Sequence, residues 1–133
     1  MTRRSAILCV DDEPNILALR SQLLGIAGYK VHVAKDGAIG LEIFRNELVD
    51  LVVLDYDMPG MMGDDVAQEM RRLRKDVPIL LVTAFPDLPA TCTSIFDATV
   101  VKGESPTLLL EKITSLLRGA PVPAHSNQIT QEV

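Results

Sequence analysis

The stretch Leu51-Val52-Val53-Leu54-Asp55-Tyr56-Asp57-Met58-Pro59-Gly60 decides the fold. Its apolar residues run without alternation and end abruptly on an acid, followed by a Pro-Gly turn signal. A short continuous apolar run bounded by turn residues reads as a strand covered on both faces. The acid then stands where the strand leaves the core. Moving outward, Ala6-Ile7-Leu8-Cys9-Val10 and Ile79-Leu80-Leu81-Val82 repeat this pattern. Thr99-Val100-Val101 is a shorter version, and Val31-His32-Val33-Ala34 alternates, as an edge strand does.

Helical patterns fill the gaps. Pro14 opens a helix whose apolar side is Ile16, Leu17, Leu23, Leu24 and Ile26, and Gly28 supplies its stop. Ala38, Leu41, Ile43, Phe44 and Leu48 form a second face, and Val66, Met70 and Leu73 a third. Ser105-Pro106 reads as a cap and first-turn proline before Leu109, Leu110, Ile113, Leu116 and Leu117. Strands alternating with helices predict an α/β fold, a doubly wound five-stranded parallel sheet with helices on both faces. Its ligand site is expected beyond the carboxyl ends of the strands.

The chain has 133 residues, enough for one domain with a core. One domain is expected over residues 1–118, with a flexible polar tail over 119–133. A net charge of −5 argues against nucleic acid as a direct partner. The basic cluster Arg71-Arg72-Leu73-Arg74-Lys75 is read as complementing a helix dipole. No apolar run approaches the roughly 20 residues of a membrane span, and Met1–Ser5 before the strand-like run from Ala6 leads to no expectation of a signal peptide. A cytoplasmic location without membrane contact is the expectation. Cys9 and Cys92 are too far apart in sequence for a CxxC site and read as reduced thiols. His32 and His125 have no partner at ligand spacing and are expected to face solvent.

The strand ends carry the chemistry. Asp11, Asp12 and Glu13 follow the first strand, Asp55 the third, Thr83 the fourth and Lys102 the fifth. A parallel sheet gathers them on one edge. Carboxylates packed together repel unless a cation joins them, and an all-oxygen set selects a hard ion, Mg2+ rather than Zn2+. An aspartate needs no general base at neutral pH, so Asp55 can attack phosphorus directly. Lys102 adds positive charge for an incoming phosphoryl group. Taken alone, Asp11-Asp12-Glu13 would read as helix capping and dipole complementation, and Met58, Met61 and Met62 read as loop packing rather than a metal site.

The motifs Val10-Asp11-Asp12-Glu13, Leu54-Asp55-Tyr56-Asp57-Met58-Pro59-Gly60, Thr83-Ala84 and Val101-Lys102 resemble those of response-regulator receiver domains over residues 5–118. The resemblance implies a flavodoxin-like strand order, 2-1-3-4-5. It implies that Asp55 is the phosphorylated residue and that Asp12 and Asp11 bind Mg2+, directly or through water. The backbone carbonyl of Asp57 would be a further Mg2+ ligand. Thr83 and Ala84 would line the phosphoryl site, and Lys102 would pair with the phosphoryl group. The implied donor is a histidine kinase or histidine phosphotransfer protein, and the output would be contact with a downstream protein.

The chain departs from that pattern in three places. Thr99 occupies the position of an aromatic switch residue. The segment between Thr83 and Lys102 is short and carries Pro86 and Pro89, which predicts a shortened or distorted helix. Gly103-Glu104 follows Lys102 where proline is common, which predicts a looser loop. Two other readings therefore stay open: a receiver-fold interaction module independent of phosphate, and a DxD-type phosphohydrolase using Asp55 and Asp57.

Overall fold

A computed structural model describes residues 3–89 and 94–119. Five strands, β1 (Ala6–Val10), β2 (Lys30–Ala34), β3 (Leu51–Asp55), β4 (Ile79–Thr83) and β5 (Ala98–Val101), form one sheet in the order β2-β1-β3-β4-β5. Every pairing is parallel, with Ile7 beside Leu51, Asp55 beside Val82 and Thr83 beside Val101. Four helices connect or follow them: α1 (Pro14–Ile26), α2 (Gly37–Asn46), α3 (Gly63–Leu73) and α4 (Pro106–Arg118).

Strand side chains alternate between faces, so each buried strand feeds two cores. Leu8, Val10, Val52, Leu54, Ile79 and Leu81 meet Leu41 and Phe44 of α2 and Val66 and Met70 of α3. Ile7, Cys9, Leu51, Val53, Leu80 and Val82 meet Leu17 and Leu24 of α1 and Leu109 and Ile113 of α4. That is why β1, β3 and β4 read as unbroken apolar runs. β2 and β5 close the two edges.

The helix ends follow local chemistry. The Asp36 carboxylate accepts the Ile39 N–H at 2.8 Å and caps α2. Ser105 accepts the Thr107 N–H at 3.1 Å, with Pro106 in the first turn of α4. Glu13 makes no side-chain cap on α1, so the capping reading of the acidic run is not realised. Gly28 leaves α1 with φ +101°, a stop suited to glycine.

Three residues expected on apolar helix faces are exposed: Ile26 (80% exposed), Ala38 and Leu48, as is Val33 of β2. Ile26 is the last residue of α1, a helix apolar nearly all round, and Leu48 lies beyond the end of α2, so neither keeps the helical phase. His32 on β2 is half-buried rather than solvent-facing. Between β4 and β5, residues 84–89 and 94–97 contain no α-helix, while 90–93, with Cys92, lie outside the described residues. The same holds for His125 and nearly all of the expected tail, residues 120–133. Among the described residues, no helix is long and apolar enough to cross a membrane.

Candidate functional site

Parallel register delivers the site residues to one edge, and backbone bonds just past the strands hold them there. The Asp11 N–H donates to Ala34 O at 3.1 Å. Tyr56 N–H donates to Val82 O at 2.9 Å and Lys102 N–H to Thr83 O at 2.7 Å. The ladder thus runs one residue beyond β1, β3 and β5 and fixes the side chains that leave it.

Carboxylate oxygens of Asp11, Asp12 and Asp55 all lie within 4.8 Å of one another. Asp11 and Asp55 are buried and Asp12 is exposed. Asp11 Oδ1 accepts the Glu13 N–H at 3.0 Å, and Asp11 Oδ2 pairs with Arg20 Nη1 at 3.2 Å. Asp55 differs. Its Oδ1 lies 3.1 Å from Lys102 Nζ, an ion pair without hydrogen-bond angles, and neither oxygen has a hydrogen-bond partner among the described residues. Burial pushes the Asp55 carboxyl up from its ordinary range, and Asp11 adds to this, while Lys102 and the Asp57 backbone oppose it. Burial works against the Lys102 ammonium, but Asp55, Asp11 and Asp57 outweigh it and hold its pKa up.

A buried carboxylate with no hydrogen bond is costly even beside Lys102, and a nearby cluster of oxygen donors is what a hard divalent cation requires. The residues present therefore fit Mg2+, with Asp11, Asp12 and Asp55 as its holders. Asp57 does not belong to the carboxylate cluster, and its expected part is through its backbone carbonyl.

Thr83 is buried at the end of β4, and its Oγ1 accepts the Phe85 N–H at 3.0 Å. Ala84 is exposed beside it. Met58 and Met61 pack on the core, so the loop-packing reading holds for both. Cys9 is fully buried, and burial pushes its thiol up to about 12, leaving it inert at neutral pH.

Several residues escaped the sequence reading. A Cβ on Gly63 would stand 2.8 Å from Tyr56 Cα and 2.9 Å from Asp55 O. Only glycine lets the start of α3 press on the Asp55 loop, where Gly63 N–H donates to Tyr56 O at 2.9 Å. Arg20 was hidden because a lone arginine on a helix carries no motif. Lys112, which lies among the apolar residues of α4 without a motif, is buried and donates to Thr99 O at 2.5 Å. Arg71, read as a dipole partner, reaches the backbone carbonyls of Lys75, Val77 and Ile95 and pairs with Asp97. Nor is the loop after Lys102 loose: the Glu104 N–H donates to Val101 O at 3.1 Å.

The response regulator receiver domain family matches residues 7–114. A probable transcriptional regulator ycf27 of Porphyra purpurea is 41% identical over 121 residues, covering 89% of this chain and 49% of the relative. The chain thus spans about half the length of the curated relatives it matches. The response regulator TrrA of Thermotoga maritima, in complex with Mg2+-BeF, aligns with TM-score 0.78 and 40% identity, covering 84% of this chain and 98% of that one. TrrA in complex with the histidine kinase ThkA aligns with TM-score 0.79 and 39% identity, covering 85% and 98%. The order of the strands, the acidic edge and the family match agree: this chain belongs to the response regulator receiver domain family.

Proposed function

We propose that this domain accepts a phosphoryl group on Asp55 and passes the signal on by protein contact. The observation that carries this reading is the buried Asp55 carboxylate, unsatisfied beside Lys102 and within reach of two further acids. A carboxylate held that way has Lys102 beside one oxygen and no hydrogen bond to compete with attack on phosphorus. Its oxygen forms the new O–P bond as the donor N–P bond breaks, and the electron pair leaves with the imidazole nitrogen of a phosphohistidine. Lys102 offsets the charge added to the pocket. Bound Mg2+ would supply the remaining positive charge for the phosphoryl oxygens. The Thr83 hydroxyl, already turned toward the loop at Phe85, would donate to a phosphoryl oxygen.

A histidine kinase or histidine phosphotransfer protein suits the donor role, since TrrA was solved with a histidine kinase. An apolar groove of about 390 Å³, lined by Leu19, Leu23, Lys102, Pro106 and Leu109, opens beside the site and offers a docking place for its helix. The experiment is mass spectrometry after treatment with acetyl phosphate and Mg2+. One phosphoryl group should be gained by the wild type, and none by Asp55→Asn or after chelation. No gain by the wild type defeats the reading. A second reading, a module indifferent to phosphate, draws on the Lys112 bond to Thr99 O, which ties down the position of the usual aromatic switch. Beryllofluoride should shift amide resonances between residues 83 and 104; unchanged spectra with Mg2+ bound would favour the second reading.

A further inference from the structure

We infer that Glu104 is the positioning residue for Lys102, an inference that rests on the phospho-acceptor reading above. Lys102 leaves the sheet from β5, an edge strand whose single neighbour is β4. Its own N–H donates inward to Thr83 O at 2.7 Å. The Val101 N–H, one residue earlier, therefore points the other way, toward the open edge. An edge amide left there would have water alone for a partner. Instead, Glu104 Oε1 accepts it at 2.9 Å, and the Glu104 N–H returns a bond to Val101 O at 3.1 Å. These two bonds close a ring across a four-residue turn, with Lys102 and Gly103 at its tip. Gly103 has φ +95°, the third-position geometry of a type II turn, which disfavours any residue with a Cβ.

The Lys102 backbone is thus fixed from two sides, by β4 within the sheet and by the Glu104 ring outside it. Its side chain is long and flexible, so the 3.1 Å approach of Nζ to Asp55 depends on where the Cα is held. Small displacements of a charge-neutralising group cost rate steeply. The Glu104 bond is also charge-assisted, and hence stronger than a neutral one. Glu104 acts on Asp55 and the phosphoryl group through Lys102.

The test compares rates of phosphoryl gain from acetyl phosphate with Mg2+, in single and double variants. Glu104→Ala should slow the gain by about tenfold, and Glu104→Gln, which keeps an acceptor oxygen, should return it to within about twofold of wild type. In a Lys102→Ala background, Glu104→Ala should add nothing. Mg2+ affinity by calorimetry should not change, since Glu104 is not among the clustered carboxylates. Equal rates for wild type and Glu104→Ala, or additive losses in the double variant, overturn the inference. So does fast hydrogen exchange of the Val101 amide in the wild-type protein, a readout that needs no variant to fold. A wild-type chain that takes no phosphoryl group refutes the proposed function; a reactive wild type matched by Glu104→Ala refutes only the role of Glu104.

Discussion

The two ends of the same sheet treat their carboxylates in opposite ways. At the amino ends, Asp50 accepts from both Arg3 nitrogens, at 2.8 and 2.7 Å, and from the Ala6 N–H at 2.7 Å. Asp97 accepts from Ile79 N–H at 2.7 Å and pairs with Arg71. Each of these acids ties the start of one strand to a neighbouring element. At the carboxyl ends, Asp55 is buried with no hydrogen-bond partner among the described residues. One end of the sheet spends its charges on holding the strands together. The other keeps a charge unsatisfied and so retains the capacity to bind and react.

The comparison breaks most decisively at Asp55. Asp55→Asn should abolish phosphoryl gain and, in the metal-free protein, raise stability by about 1–2 kcal/mol, because it relieves the burial cost and the Asp11 repulsion that Lys102 offsets only in part. Urea melts at neutral pH check the second half, and a destabilised variant would show that Asp55 is as structural as Asp50.

At the opposite end, Arg71→Ala should cost about 2–3 kcal/mol, since it strands the carbonyls of Ile95 and Val77 and the Asp97 carboxylate. The same melts report it, with phosphoryl gain retained in the folded fraction. Asp50→Ala should cost less, about 1–2 kcal/mol, because the site is partly open to water. Its pH dependence carries the sign. The Arg3 hydrogen bonds hold the Asp50 carboxyl below its usual range, with burial opposing and the Ala6 N–H assisting. That stabilisation is present above the unfolded pKa and is lost as pH falls through the lower folded one, so wild type and Asp50→Ala should converge below about pH 4.

The smallest effect sharpens the contrast within the site. Arg20 pairs with Asp11, so a fixed cation already sits on one of the acids offered to Mg2+. Arg20→Met should tighten Mg2+ binding by roughly threefold to tenfold, read by calorimetry. Weaker binding would mean that Arg20 orients Asp11 rather than competing with the ion.

Much of this was legible in the linear chain. Unbroken apolar runs such as Leu51–Leu54 appear when both faces of a strand are covered, and the polar residue ending each run marks where it leaves the core. That placed Asp11, Asp55, Thr83 and Lys102 together before any contact was known. Hidden residues share a different trait. Arg71, Lys112 and Glu104 act through long side chains on backbone groups of other elements or of the adjoining strand. Their partners are carbonyls and amides that every residue carries. No residue pattern announces such a bond.

The sequence by itself determined the fold class, the parallel strands and the acidic edge, because strand period and strand-end chemistry are local properties; the strand order came from the resemblance to receiver domains. Only the tertiary structure decided which charges are satisfied. Satisfaction depends on distances between elements remote along the chain, and it separates Asp50, fully paired, from Asp55, left with a charge to use.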